Sequence, residues 1–371
     1  MFPRSLARRC YTALHHSAVG DPATVIARCN VPPVTTSNSA TSNGSVSVVV
    51  APIYSSVNTA DINTIQGTYP VKPNFVTSPS VTHSIPGSEF VGIVKESQNP
   101  ALPVDTLVIP RFTGLGAWTT AMSPTPSSSF IPVSSFATGL SPASLLALQV
   151  NPSTAHKMLS SFTPLEPGDV VMLTAGRSAV ATAAACIAKH KYGCKVVSVV
   201  RRKDMGDDEW GVECGRMKAA YGVDLVIAEE QIARTPPRRL MGLLAELGGS
   251  GRVPLLLDAV GGKTASLLSL GLTESGYCVT YGGLSRNPIS VRAGSEIFND
   301  VKYVGFWLTR FNDERGNLEE RVEMLKELAQ MAKAGMLVLP ELKTFKLEDY
   351  EEAFANVGNG EKTCFDCRLS E

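Results

Sequence analysis

The chain has 371 residues, 44% hydrophobic and 18% charged, which allows two domains and excludes global disorder. Lys+Arg and Asp+Glu both total 34, so the formal charge is zero and a general nucleic-acid binder is disfavoured. No apolar run approaches the ~18–20 residues that a membrane-spanning helix needs.

Residues 1–20 hold Arg4, Arg8 and Arg9 among Ser and Ala, and no acidic residue precedes Asp21. Basic and acid-free, this segment predicts a mitochondrial transit peptide delivering the chain to the matrix. A reducing matrix would keep the eight cysteines as thiols. Cys364 and Cys367 form one CxxC with no second pair, so core or edge thiols are expected there, not a zinc site. Residues 34–44 are polar and of low complexity and read as an exposed loop. From Ser45 to about Val150, short Val- and Ile-rich segments broken by Pro and Ser predict a small all-β domain.

After Asn151 the texture changes. Asp169 to Ala175 is a continuous apolar run, as in a buried parallel strand. Ser178 to Lys189 is Ala-rich and reads as a helix packed on a sheet. Further strands are expected at Lys195 to Val200, Val223 to Ala228, Leu255 to Val260 and Tyr277 to Tyr281, with helices between. This alternation predicts an α/β fold with a doubly wound parallel sheet. Leu318, Val322, Leu325, Leu328 and Ala332 step by three and four, an amphipathic helix closed by Gly335. A last strand–helix–strand piece places Tyr350 and Phe354 on one helix face.

A phosphate-binding turn belongs after the first strand of such a sheet, where a helix start offers free N–H groups and a positive dipole end. That turn is Ala175-Gly176-Arg177-Ser178-Ala179-Val180-Ala181, which lacks the full GxGxxG spacing. The second strand ends in Arg201-Arg202-Lys203, where an NAD-binding sheet carries an acid for the ribose hydroxyls. Cations there fit a 2′-phosphate and point to NADPH. A solvated basic turn is the plainer alternative, and the position at the strand end favours the cofactor. Tyr281-Gly282-Gly283 ends a later strand, where glycines admit a nicotinamide close to the backbone. Between Ser45 and Val150 there is no cysteine and only His83, so no catalytic zinc site is expected.

Ala60 to Pro70 is the most distinctive stretch of the first domain, with polar residues at an expected strand end and then Gly67, Tyr69 and Pro70. A phenol is a neutral acid at physiological pH. It suits a group that must protonate a carbanion. A half-buried core tyrosine is the commoner identity by base rate.

Here the sequence resembles the mitochondrial trans-2-enoyl-CoA/ACP reductases of the medium-chain dehydrogenase/reductase superfamily. The resemblance is carried by Gly20-Asp21-Pro22, Asn63-Thr64-Ile65-Gln66-Gly67-Thr68-Tyr69, Gly114-Leu115-Gly116-Ala117-Trp118 and Val150-Asn151-Pro152-Ser153-Thr154-Ala155. Val260-Gly261-Gly262-Lys263, Val279-Thr280-Tyr281-Gly282-Gly283 and Gly305-Phe306-Trp307-Leu308 follow in family order. It implies a GroES-like β-rich catalytic domain over residues 21–150, a Rossmann NADPH domain over 151–308, and a return to the catalytic domain over 309–371. It implies Tyr69 as proton donor. Cofactor contacts are implied at Asn151, Thr154, Gly176, Arg177, Ser178, Ala179, Val180, Arg201, Arg202, Lys203, Tyr281, Gly282, Gly283, Leu284, Phe306, Trp307, Leu308 and Thr309, and at Lys362 near the carboxyl end. The substrate would be an enoyl-CoA or enoyl-acyl carrier protein, and the assembly a homodimer. Trp307 is expected to wall the pocket, and Trp118 to lie in the core. Ala179 and Ala181 stand where the family carries glycine, which bears on cofactor affinity. An NADPH quinone or enone reductase of the same superfamily, or an NADPH-binding protein without catalysis, are the competing readings.

Overall fold

The structure, a computed structural model, describes residues 10–31, 46–77, 82–203, 205–232, 234, 237–314, 317–358 and 360–370. The chain divides into two units, one of Met1–Gln149, Thr309–Ala329 and Pro340–Glu371, the other of Val150–Leu308 and Gln330–Leu339.

The first unit opens with β1 (Tyr11–His15) paired antiparallel to β2 (Ala27–Val31), with α1 (Pro22–Val25) between them. Tyr11, Ala13 and Leu14 are buried. The leader expected over residues 1–20 overlaps this strand. A cut after Gly20 would remove β1, the partner of β2. Residues 1–9 and the 34–44 insert lie outside the described residues.

β3 (Ser47–Ser56), α2 (Thr59–Ile65), β4 (Val76–Thr77), β5 (Thr82–His83), β6 (Phe90–Ser97), β7 (Leu107–Pro110), β8 (Thr125–Pro126), β9 (Phe130–Pro132) and α3 (Pro142–Leu148) follow. The all-β expectation is therefore too simple. The polar stretch before Tyr69, expected at a strand end, is the helix α2, and it buries only Asp61 and Ile65.

The second unit holds α4 (Asn151–Ser161), β10 (Val170–Leu173), α5 (Ala179–Tyr192), β11 (Lys195–Val200), α6 (Asp207–Tyr221) and β12 (Leu225–Ala228). It continues through α7 (Glu229–Ile232), α8 (Pro237–Glu246), β13 (Leu255–Asp258), α9 (Gly262–Leu268), β14 (Tyr277–Thr280), α10 (Ala293–Asn299) and β15 (Lys302–Gly305). The six strands are parallel in the order β12-β11-β10-β13-β14-β15. Every residue of β10 and β13 is buried, as continuous apolar runs require when helices cover both faces. Gly193 ends α5 in the left-handed conformation at φ 67°, after Lys189, His190 and Lys191 in the last turn complement the helix dipole.

The chain closes with α11 (Leu308–Asp313), α12 (Leu318–Lys333), β16 (Leu342–Phe345), α13 (Tyr350–Asn356) and β17 (Lys362–Asp366). Gly335 follows α12 at φ 71°, a conformation glycine adopts without a Cβ penalty. In the first unit, β17 pairs antiparallel with β3, giving the order β16-β17-β3-β6-β7-β9, with β8 also on β3. Trp118 is fully buried against Phe354 and Phe365, and its indole donates to the Ser56 carbonyl at 3.0 Å. Cys364 and Cys367 are buried free thiols, and burial pushes Cys364 up to about 12.

Candidate functional site

In an open parallel sheet, ligands bind beyond the carboxyl ends of the strands where the strand order reverses. Here the reversal is at β10, flanked by β11 and β13. Thr174, just past β10, donates to the buried Asp258 carboxylate at 2.8 Å and accepts from the Ala259 N–H at 2.8 Å. Asp258 also accepts from the N–H groups of Val260 and Gly261. Burial pushes its carboxyl up, against the pull of these donors. The two strand ends on either side of the reversal are thus pinned together.

The turn after Thr174 is tight. Ala175 adopts φ 48°, and the Gly176 N–H donates to the Val199 carbonyl at 2.9 Å. A Cβ on Gly176 would lie 1.9 Å from Ser198 Oγ, so no other residue fits without displacing β11 or the turn. Ser178 caps α5, accepting from the Ala181 N–H at 3.3 Å. Ala179 and Ala181 are the first and third residues of the helix, and the Ala181 methyl is buried against its surroundings. Gly176, not a glycine at either of those positions, gives the close approach. Tyr281 carries a buried hydroxyl whose polar neighbour is the Ser178 side chain. Burial pushes this phenol up, offset in part by the Ser178 side chain.

Beyond β11, Arg177 donates to the Arg201 carbonyl at 3.0 Å. Arg201 reaches Glu229 at 3.4 Å and stays half exposed, while Arg202 pairs with Asp207 and lies over Trp210 at 5.8 Å. The Arg202 and Lys203 N–H groups both donate to the Glu230 carboxylate. Past β14, a Cβ on Gly282 would stand 3.0 Å from the Ala259 carbonyl, Gly283 is exposed, and Leu284 is 65% exposed. Past β15, Phe306 meets Phe162 edge-on, Trp307 is half-buried and Leu308 is buried. Asn151 opens α4, and Thr154 is buried one turn on. Thr309 falls in the first unit.

In the first unit, the Asn63 carbonyl of α2 accepts from the N–H groups of Thr68 (2.9 Å) and Tyr69 (3.2 Å). Gly67 makes the turn at φ 73° and delivers Tyr69 half-buried. Lys362, from β17, is buried in an ion pair with Glu89 at 2.7 Å. Asn58 donates to Glu89 Oε2 at 2.9 Å, and its N–H donates to Asp61 Oδ2 at 2.9 Å. Burial pushes Asp61 up to about 6. Asp61, Glu89 and Asn58 were not singled out from sequence. Asn58 and Asp61 carry a local signal, a capping-box spacing at a helix start. Among the described residues, no group of three or more His, Cys, Asp and Glu could hold a metal ion.

The comparisons agree with this architecture. Residues 221–363 match the family model described as zinc-binding dehydrogenase. The chain is 32% identical over 363 residues to the mitochondrial enoyl-[acyl-carrier-protein] reductase of Xenopus tropicalis, covering 95% of this chain and 93% of that one. It is similar to the Etr1p/NADP/crotonyl-CoA complex, at 25% identity and TM-score 0.84, over 96% of this chain and 99% of that chain. The same values relate it to the mitochondrial 2-enoyl thioester reductase Etr1p/Etr2p heterodimer of Candida tropicalis.

Proposed function

The chain belongs to the mitochondrial enoyl-[acyl-carrier-protein] reductases, and from that premise we propose how its own residues divide the reaction. The reaction is NADPH-dependent reduction of a trans-2-enoyl thioester to the saturated acyl thioester, in the mitochondrion. The observation that carries the reading is the collapse of Gly176 onto Ser198 beside a capped helix start, with the Arg201–Lys203 turn at the next strand end.

The residues present fit a dinucleotide phosphate. Gly176 lets the turn close onto β11, the first turn of α5 offers N–H groups and a positive dipole end, and the buried Tyr281 hydroxyl stands beside Ser178 at that helix start. Arg177, Ser178, Ala179 and Val180 would hold the pyrophosphate. Arg201, Arg202 and Lys203 would hold the 2′-phosphate, where arginine forks match phosphate oxygens. Gly282 to Leu284, Phe306 to Thr309, Asn151 and Thr154 are assigned to the remainder of the cofactor. NADPH, when bound, supplies hydride to the β-carbon.

Negative charge then builds on the thioester oxygen, and the α-carbon needs a proton. We assign that proton to the Tyr69 hydroxyl, directly or through one water, because α2 and Gly67 hold the phenol half-buried at the end of a hydrogen-bonded turn. Trp307 walls the pocket, since an indole is a poor acid. Lys362 has its amine on Glu89 and is only 6% exposed, so we assign it to the internal network of the catalytic unit.

A homodimer is the assembly we favour. β15 is an edge of the six-stranded sheet, and Ile297 and Phe298 stand 69% and 80% exposed on the preceding α10. An unpaired edge beside large exposed apolar side chains is suited to a second copy of the chain.

The test of the function is purified protein with NADPH and a series of trans-2-enoyl-CoA and enoyl-carrier thioesters, followed by loss of NADPH absorbance. Turnover of thioesters with none of quinones supports the reading. Quinone turnover alone, or NADPH binding without any turnover, refutes it.

A further inference from the structure

The helix that ends in the Tyr69 turn is fastened at its other end by its own cap residues and by side chains from two distant stretches of chain. Asn58 stands at the amino end of α2, Asp61 in its first turn, Glu89 ahead of β6 and Lys362 at the start of β17. Lys362 donates to Glu89 Oε2 at 2.7 Å and approaches Asn58 Oδ1 at 3.5 Å. Asn58 bridges the two carboxylates, giving its amide to Glu89 and its backbone N–H to Asp61. We propose that these four residues form a positioning network for the proton donor, in which the ionised Asp61 carboxylate fixes the start of α2 and so the Tyr69 turn.

The charge count supports a titrating role for Asp61. Two buried carboxylates share one ammonium, and that ammonium sits on Glu89. Asp61 is left with hydrogen bonds from the Asn58 N–H and the Ser88 side chain as its support. The groups that face it are Asn58 and Thr64 from its own helix, Ser88 and Glu89 ahead of β6, and Lys362 from β17. Beside it lies a cavity of about 30 Å³, whose wall also carries His16 and Lys72. That space admits a water, so a proton can reach the carboxylate. With burial setting its titration near pH 6, a carboxylate that loses its charge accepts the Asn58 N–H more weakly, and the amino end of α2 loosens. The helix is seven residues long, so about 10 Å of hydrogen-bonded backbone links that end to the Asn63 carbonyl and the Tyr69 N–H.

The proposal rests on Tyr69 as donor, and the experiment separates the two. The full chain is assayed for kcat with NADPH and crotonyl-CoA from pH 5.5 to 8.5, with NADPH affinity measured in parallel. Wild type is expected to lose kcat through an acid limb near pH 6. Asp61→Asn is expected to abolish that limb and lower the plateau ~10–100-fold, the scale of a small misplacement, with NADPH affinity unchanged. Lys362→Met should move the limb to higher pH, since the Lys362 charge favours ionised Asp61, and Lys362→Arg should restore it. A flat wild-type profile through pH 6, or a limb that persists in Asp61→Asn, overturns the proposal. If Asp61→Asn does not fold, a limb unmoved between the two Lys362 variants overturns it equally. Tyr69→Phe lowers kcat at every pH and so judges the donor assignment by itself.

Discussion

Gly176→Ala tests whether the turn after β10, the proposed cofactor turn, is set by steric contact with β11. The new Cβ would stand 1.9 Å from Ser198 Oγ, 2.8 Å from Val200 Cγ2 and 3.2 Å from Ser198 Cβ. Gly176 is not among the positive-φ residues, so the cost is steric and not backbone strain. The turn cannot slide freely, because its N–H is bonded to the Val199 carbonyl. Overpacking of this kind costs about 1–3 kcal/mol. Ser198→Ala removes the nearest atom, and that atom is a buried hydroxyl with no hydrogen-bond partner, so its loss should stabilise the protein on its own. The remaining close contacts are a methyl tip of Val200, which can yield, and Ser198 Cβ at 3.2 Å. The double variant should therefore recover about 1–2 kcal/mol beyond additivity. Denaturant midpoints give the stabilities of the four proteins, and NADPH fluorescence titration gives their affinities. Weakening of NADPH by Gly176→Ala, at ~10-fold per 1.4 kcal/mol, should be partly rescued by Ser198→Ala. Strict additivity within about 0.5 kcal/mol, or unchanged NADPH binding in Gly176→Ala, would refute the steric account.

Tyr69→Phe should keep NADPH affinity and lower turnover at least ~100-fold, the span of a general acid; an unchanged single-turnover rate removes Tyr69 from the mechanism. Arg201→Ala with Arg202→Ala should shift preference from NADPH towards NADH in competitive assays, whereas equal losses with both cofactors would argue against a 2′-phosphate contact. Phe298→Glu with Ile297→Glu should convert a dimer to monomer in light scattering, and a dimer of undiminished stability would place the interface elsewhere. Asp61→Asn should gain stability over wild type chiefly above pH 6. Denaturation at pH 4.5 and pH 8 reads that difference directly, and an equal effect at both pH values counts against a raised Asp61.

The nucleotide unit was the more legible half. Lys195 to Val200 is legible as β11 because four of its six residues are buried valines, a density that a covered parallel strand sustains. The amphipathic helix from Leu318 was equally readable, since its period extends over four turns. β15 was not anticipated, because Lys302, Tyr303 and Val304 are only partly buried at a sheet edge and carry no strong pattern. α2 was missed because seven residues are too few to show a period when only two of them are buried. β1 carries no signal of its own in the sequence, because composition describes a segment, while the pairing of Tyr11 with Val31 depends on a partner beyond α1. The Lys362–Glu89 pair spans 273 residues, and no spacing rule reaches that far.

Asp61 shows why sequence-level consistency fails where it does. An aspartate in a first helical turn is ordinarily favourable, since it faces the positive end of the dipole. Here burial and the neighbouring Glu89 reverse the balance and raise its carboxyl from 3.8 to about 6. Between those values the folded chain holds a proton that the unfolded chain has released, so folding stability rises as pH falls through the window. Above pH 6 that advantage is gone, and across the window it amounts to about 3 kcal/mol. At neutral pH the protein therefore carries a buried anion at a substantial cost in stability. A neutral side chain of the same shape would avoid that cost while retaining an acceptor for the Asn58 N–H. The charge is what separates aspartate from asparagine at this position, and α2, whose first turn holds Asp61, leads to the turn that carries Tyr69, the proton donor proposed above.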